Sequence, residues 1–192
     1  MSWTEVLGFV TGAVCVWLTV RAKVWNFPVG MANNVFFLLL FWGAGLYADA
    51  GLQVVFLVLA AHGWWQWVRG GERRLGREVR YASARETVLL GLLLVPVTAG
   101  LAALLGWAHG SAPFWDALTT ALSLVAQWLL NTKKVQTWWF WIAADLVYVP
   151  LYAAKGLYLT SVVYLLFLGL CVAGLRGWRR AAAPEPAVGV AA

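Results

Sequence analysis

The sequence predicts an all-α membrane protein with seven membrane-spanning helices. Hydrophobic residues make up 62% of the 192-residue chain and charged residues only 11%, whereas a soluble domain carries about 25% charged residues. The apolar residues are gathered in separate runs that approach the roughly 20 residues a helix needs to cross the hydrocarbon core. Lys and Arg lie between these runs, which indicates membrane topology and not a nucleic-acid-binding patch.

The first four spans are separated by basic segments or short turns. Span one ends before Arg21 and Lys23, and Glu5 lies near its start, so it is not expected to be a cleaved signal peptide. Spans two and three are joined by a short turn, and span four follows a basic segment that begins at Arg69. We predict these spans at residues 3–20, 27–46, 52–68 and 87–107.

The last three spans are marked in the same way. Span five ends before Lys133 and Lys134, span six begins at Trp138, and span seven ends before Arg176. We predict these spans at residues 115–130, 138–154 and 157–175. The tail from Ala181 is rich in Ala and Pro, which predicts disorder.

The distribution of positive charge predicts the orientation of the chain. With seven spans, loops one–two, three–four and five–six share one side of the membrane with the C-terminus. Thirteen of the 14 Lys and Arg residues lie on that side, and Lys155 is the exception. The positive-inside rule therefore predicts an outside N-terminus and a cytoplasmic C-terminus.

Two parts of the chain resemble each other when Lys23 is placed on Lys134, and we call this register the repeat alignment. Each copy holds three spans, and because three is odd, span four is needed to keep the two copies parallel. Such 3+1+3 parallel repeats are typical of transporters, which hold their substrate between the repeats. The predicted division is a first repeat at 1–70, a connector with the inverter helix at 71–110, a second repeat at 111–180 and a tail at 181–192. The other matched pairs include Asn34 with Asp145, Gly63 with Gly174 and Trp67 with Trp178.

Polar residues in spans five and six recur every three or four positions, so each set shares one helical face. Asp145 is the one acidic residue well inside a span, where it costs roughly 2.5–3.5 kcal/mol. We therefore expect it to face an aqueous cavity, or a hydrogen-bonding partner such as Asn34 or Gln127. The candidate substrate-binding residues are Asn33, Asn34, Ser123, Gln127, Asn131, Trp138, Trp141, Asp145 and Tyr148.

These residue types suit a nucleoside-like ligand. Aromatic faces beside a carboxylate favour a flat, positively charged ring, and amides can hydrogen-bond to hydroxyls. Other readings stay open: Asp145 could join two helices or carry a coupled proton, and Trp138 could be an interfacial belt residue.

Patterns for catalysis and metal binding are absent from the sequence. There is no P-loop, no Ser/His/Asp set and no His/Cys cluster, and Cys15 and Cys171 lie in apolar runs as small hydrophobic residues. We expect no enzymatic activity, no cofactor and no metal. A membrane-embedded enzyme or a sensor remains an alternative that would need residues not found here.

Several stretches closely resemble the PnuC family of bacterial vitamin transporters, over about residues 3–180. They are WNFPVG after span one, LYAD in the turn between spans two and three, GWWQW at the end of span three, and W-x-x-W-I-x-x-D in span six. The resemblance implies a seven-helix fold related to the sugar-transporting SWEET proteins, a homotrimer and a bacterial inner (plasma) membrane location. It also implies facilitated diffusion of nicotinamide riboside, which a cytoplasmic kinase then traps; thiamine and riboflavin are the other substrates of this family.

The resemblance carries over to particular residues. The matched positions are Gln127, Asn131, Trp138, Trp141, Asp145 and Tyr148 in the second repeat, with Asn33 or Asn34 in the first. Thiamine, like the riboside, is a flat cation and fits nearly as well, whereas neutral riboflavin would leave Asp145 without an obvious task. The first repeat has Phe27-Pro28-Val29-Gly30 where the second has Trp138 to Trp141, so the implied aromatic cage is asymmetric.

Overall fold

The computed structural model describes residues 3–43, 47–69, 78–107, 113–154 and 156–182. These residues form seven helices, which confirms the all-α class and the number of spans. The end of predicted span two (residues 44–46), most of the basic segment before α4 (70–77), residues 108–112, Lys155 and nearly all of the predicted tail lie outside the described residues. The helices are α1 (Trp3–Val20), α2 (Asn26–Gly43), α3 (Tyr47–Arg69), α4 (Ala84–Trp107), α5 (Pro113–Asn131), α6 (Thr137–Ala154) and α7 (Tyr158–Ala181).

Two helices extend five or six residues beyond one end of the predicted spans. α3 begins at Tyr47, and not at residue 52, while α7 continues to Ala181 beyond residue 175. The extensions carry the polar residues Asp49, Arg179 and Arg180. An apolar run measures only the part of a helix that lipid surrounds, so a helix whose end reaches the polar interface extends past it.

Six helices pack into a closed ring in the order α1, α2, α3, α5, α6, α7 and back to α1. We call α1–α3 the first half of the ring and α5–α7 the second half, and the two halves meet where α1 packs on α7 and where α3 packs on α5. α4 packs on α5 and exposes large apolar side chains, Val95 and Leu92 among them. Its most apolar window has a mean hydropathy of 2.5, as expected for a helix that mostly faces lipid.

The α1–α2 and α5–α6 loops, which correspond in the repeat alignment, have the same backbone. Ala22 and Lys133 both adopt a positive φ, of 49° and 53°, which is the conformation that commonly ends a helix. In each loop the next residue closes the turn, because the amide of Lys23 donates to the Leu18 carbonyl and that of Lys134 to the Leu129 carbonyl, both at 2.9 Å. We call the end of the bundle that carries these two loops the basic end.

The α5–α6 loop is joined to the segment that precedes α4. The amide of Arg80 donates to the Lys133 carbonyl at 3.1 Å, and the amide of Val135 donates to the Arg80 carbonyl at 2.9 Å. The Gln136 side chain binds both backbone groups of Ala82, accepting at 2.8 Å and donating at 3.1 Å. We call this set of bonds the connector clamp.

An ion pair strengthens the connector clamp, because Lys134 Nζ lies 2.8 Å from Glu86 Oε2 at the start of α4. The α1–α2 loop differs at the matching position. Trp25, which corresponds to Gln136, is 67% exposed. The two loops therefore share a backbone but differ in what holds them in place.

Replacing Gln136 with Ala is expected to destabilise the protein. The change removes both side-chain bonds to Ala82 and leaves buried backbone groups without a partner, which costs about 1–3 kcal/mol. A thermal unfolding curve in detergent should show a lower midpoint for Gln136→Ala than for Gln53→Ala, which removes the same atoms from a half-buried position on α3. Equal midpoints would contradict a stabilising role for the connector clamp.

Candidate substrate site

Four of the candidate residues follow one another along a face of α6. Starting from the basic end, they are Trp138, Trp141, Asp145 and Tyr148, spaced by three or four positions. Trp138 and Asp145 are buried, whereas Trp141 and Tyr148 are half-buried. This face therefore places a carboxyl group between two levels of aromatic rings.

Asp145 is the buried acid at the centre of this arrangement, with 5% of its surface exposed. The Cys171 side chain of α7 lies beside it as a hydrogen-bonding neighbour. Its Oδ2 atom has no hydrogen-bond partner within the described part of the chain. Because an uncompensated buried carboxylate is unfavourable, this oxygen suits a cationic ligand or a proton.

Three tyrosines pack together on the side of Asp145 away from the basic end. The ring centroid of Tyr148 lies 4.5 Å from that of Tyr164 and 5.6 Å from that of Tyr152, while Tyr152 and Tyr164 are 5.2 Å apart. Thr119 of α5 is a hydrogen-bonding neighbour of Tyr148. This tyrosine cluster joins α5, α6 and α7 and contributes hydroxyl groups next to the acid.

The first half has phenylalanines at the level of the tyrosine cluster. Phe37 and Phe41 stack with their ring centroids 5.7 Å apart, at the positions that match Tyr148 and Tyr152 in the repeat alignment. Phe37 also lies against Gly8, where a side-chain carbon would approach its ring to 2.7 Å. At this level the hydroxyls come from the second half, so the candidate site is asymmetric.

Trp138 is a packing residue in this structure. It is 1% exposed, meets Trp178 edge-on with ring centroids 5.4 Å apart, and lies directly over Gly174. This burial differs from the interpretation of Trp138 as an interfacial belt residue, whereas a contact with a ligand stays a prediction, because its indole N–H has no hydrogen-bond partner among the described residues. Trp141, one turn further along α6, is half-buried and packs on the same core cluster, so it is the tryptophan better placed to reach a ligand.

The amides of α5 join the two halves of the ring. Gln127 Nε2 donates to Asn131 Oδ1 at 3.0 Å, and Asn131 Nδ2 donates to the Leu59 carbonyl of α3 at 2.8 Å. Asn131 is 1% exposed and packs closely on Gly63. In the described contacts, the Asn131 side chain thus holds α5 against α3.

The remaining candidate residues differ in whether their side chains bond within one helix or between two helices. Ser123 donates to the Thr119 carbonyl of its own helix at 2.8 Å. Asn33 donates to Thr11 Oγ1 at 2.6 Å and to the Gly8 carbonyl at 3.1 Å, which ties α2 to α1. Asn34 is half-buried and does not share these bonds. Of the two asparagines, Asn34 therefore keeps the freer amide.

A separate groove of about 510 Å³ lies between α1 and α7. Its lining is entirely apolar and includes Phe9, Val163 and Leu166, so it lacks the charged and hydrogen-bonding groups of the α6 face. Among the residues that the structure describes, no group of three or more His, Cys, Asp or Glu side chains could hold a metal ion. The α6 face is the better candidate for a polar ligand.

Tyr164 and Cys171 are neighbours of the site that were not predicted from the sequence. Both lie on one face of α7 with Gly174 and Trp178, at spacings of seven, three and four residues. The sequence shows this periodicity, which indicates a packed face of α7. It does not show which residue of α6 each of these side chains contacts. The register between α6 and α7 is what brings Cys171 to Asp145.

The chain is similar in sequence and in fold to known membrane transporters. The family model described as nicotinamide mononucleotide transporter matches residues 2–180. The nicotinamide riboside transporter PnuC of Escherichia coli is 28% identical, with 93% of this chain and 85% of that protein covered. The riboflavin/roseoflavin transporter RibM of Streptomyces davaonensis is 30% identical, with 92% and 84% covered. The crystal structure of the vitamin B3 transporter PnuC has a TM-score of 0.72 at 23% identity, covering 93% of this chain and 81% of that one.

Asn131→Ala is expected to lower the thermal unfolding midpoint in detergent. It removes two hydrogen bonds and leaves space beside Gly63, at a cost of about 2 kcal/mol or more. Ser123→Ala is the matched control, because its hydroxyl bonds only within α5. A midpoint unchanged from that of Ser123→Ala would show that Asn131 does not hold the two halves together.

Proposed function

Because the chain belongs to the nicotinamide mononucleotide transporter family, a family of membrane transporters and not of enzymes, we propose that it carries nicotinamide riboside across the bacterial inner membrane. The transport is facilitated diffusion, and phosphorylation by a cytoplasmic riboside kinase traps the product. The N-terminus is outside, the basic end is cytoplasmic, and the protein assembles as a homotrimer. This orientation follows from the positive charge of the loops at the basic end.

The unpartnered oxygen of Asp145 is the observation that carries the proposal. Nicotinamide riboside combines a flat cationic pyridinium ring with a ribose. A buried carboxylate offers the cation a charge partner, the half-buried ring of Trp141 offers a face for stacking, and Tyr148 offers a hydroxyl for the sugar. The candidate site therefore has a group for each part of this ligand.

Two other vitamins compete as the substrate. Thiamine is also a flat cation and would use Asp145 in the same way. Riboflavin is favoured by the 30% identity to RibM, which is a riboflavin/roseoflavin transporter. A neutral ligand, however, leaves the Asp145 carboxylate without a charge partner, and this is the reason for placing the riboside first.

Proton coupling is a second candidate mechanism, and it rests on the same residue. A buried carboxylate without a full set of hydrogen bonds can accept a proton during the transport cycle. Collapse of an imposed proton gradient would then abolish accumulation in vesicles that contain no kinase. Facilitated diffusion predicts equilibration that does not depend on the gradient.

Uptake of labelled nicotinamide riboside into proteoliposomes of the purified protein tests the proposed function. We expect uptake that equilibrates without an imposed gradient and that excess unlabelled riboside suppresses, while thiamine and riboflavin do not. Empty liposomes give the background rate. Absence of riboside flux, or suppression by thiamine or riboflavin, would reassign the substrate within the family.

Asp145→Asn is expected to weaken riboside binding while the protein stays folded. Loss of a buried charge partner costs about 2 kcal/mol or more, which is roughly a 30-fold rise in Kd. Isothermal titration in detergent measures the change. Glu78→Gln removes the same charge from an exposed position and should leave Kd unaltered. An unchanged affinity in Asp145→Asn would make Asp145 a structural residue and overturn the site.

A further inference from the structure

Two tryptophan side chains join the halves of the ring at the basic end. Trp67 of α3 donates its indole N–H to the carbonyl of Asn131, the last residue of α5, at 3.1 Å. Trp178 of α7 donates its indole N–H to the carbonyl of Val20, the last residue of α1, at 3.3 Å. Each bond crosses from one half to the other, so together they form a reciprocal pair.

The two accepting carbonyls are free because their helices end there. A helix leaves its last four carbonyls without intrahelical partners. Beyond Val20 and Asn131 the chain turns through the positive-φ residues Ala22 and Lys133. In each case an indole N–H of the opposite half donates to the carbonyl that has no donor within its own helix. Both bonds are buried, because neither Trp67 nor Trp178 is more than 7% exposed.

The rings around the two bonds close the space between the halves. Trp67 and Trp178 lie 6.5 Å apart between ring centroids. Phe27 packs edge-on against Trp67 at 5.0 Å, as Trp138 does against Trp178 at 5.4 Å. These four rings form a continuous aromatic layer at the basic end, between the Asp145 level and the loops.

We propose that the aromatic layer is a gate at the basic end, that it is closed in this structure, and that the two indole–carbonyl bonds keep it closed. We call these two bonds the latch. The proposal rests on the proposed transport function, because a substrate at Asp145 can leave at this end only if the aromatic layer opens. Opening separates Trp67 from α5 and Trp178 from α1, so both bonds break in each transport cycle. Trp67 and Trp178 act as positioning residues, since they set the balance between closed and open states without contacting the substrate.

The native Cys171 reports on this gate. Its side chain is 4% exposed and belongs to the same core cluster as Trp67, Trp138 and Trp178. Because it is buried while the layer is closed, we expect a maleimide to modify it faster when the layer opens. Peptide mass spectrometry separates its modification from that of Cys15, so the native cysteines stay in place.

Phenylalanine substitutions test the latch in the purified protein without substrate. Trp178→Phe and Trp67→Phe keep an aromatic ring but lose the N–H donor, and each should speed maleimide modification of Cys171 about 5- to 10-fold, the population shift expected for one buried hydrogen bond. Trp25→Phe makes the same chemical change at a 67% exposed position of the basic end and should match the unmodified protein. Rates for the two latch variants equal to that of Trp25→Phe, in folded protein, would overturn the proposal.

A second pair of variants covers the case in which a tryptophan variant does not fold. At Gly174 an added side-chain carbon would come within 2.5 Å of the Trp138 ring, whereas at Gly177 it would meet nothing within 4 Å. Gly174→Ala should therefore force the layer apart and speed Cys171 modification several-fold over Gly177→Ala, and equal rates would contradict the gate. This readout needs no vitamin, so a failed latch and a misassigned substrate give different results.

Discussion

Backbone carbonyls at a helix end are costly to leave unpaired inside a membrane bundle, because neither lipid nor apolar side chains can replace water as a donor. α1 and α5 end within the protein at the basic end, and their last carbonyls accept from Trp178 and Trp67. Those two bonds place α7 against α1 and α3 against α5. The same indoles fix Phe27 and Trp138, and Trp138 in turn sets the face of α6 that carries Asp145.

The two halves share this scaffold but differ in what they offer a ligand. Asp145 in the second half matches Asn34 in the first, and the stacked pair Tyr148 and Tyr152 matches Phe37 and Phe41. The loops differ too, since the connector clamp holds the α5–α6 loop. The second half thus supplies the buried acid Asp145 and the tyrosine hydroxyls, and the first supplies mostly packing surface at these positions. A single buried carboxylate suits a ligand that carries one positive charge.

The helices were predictable because lipid imposes a length and an apolar composition on each span, and the ends of the seven runs match those of the observed helices to within three residues except at the start of α3 and the end of α7. The α6 face was predictable from its spacing alone. The neighbours of that face were not, because periodicity reports which residues share a side of one helix and not which residue of the next helix they meet. Cys171 beside Asp145, the burial of Trp138 and the use of Asn131 to hold α3 all depend on the register between helices. The pairing of Trp67 with Trp178 was visible in the repeat alignment, but its hydrogen-bonding role depends on where α1 and α5 end.

The reciprocal exchange of one donor for one acceptor between the halves is the arrangement of an isologous dimer interface, in which each partner contributes the same surface. α4, which packs outside the ring on α5, then acts as a covalent tether that makes two such partners one chain. In a true homodimer every substitution appears twice and must suit both copies. Joined in one chain, the partners are free to change separately, so a single carboxylate can be introduced on one side while the other side keeps a neutral amide. Fusion is thus what permits a symmetric scaffold to hold a ligand with two dissimilar ends.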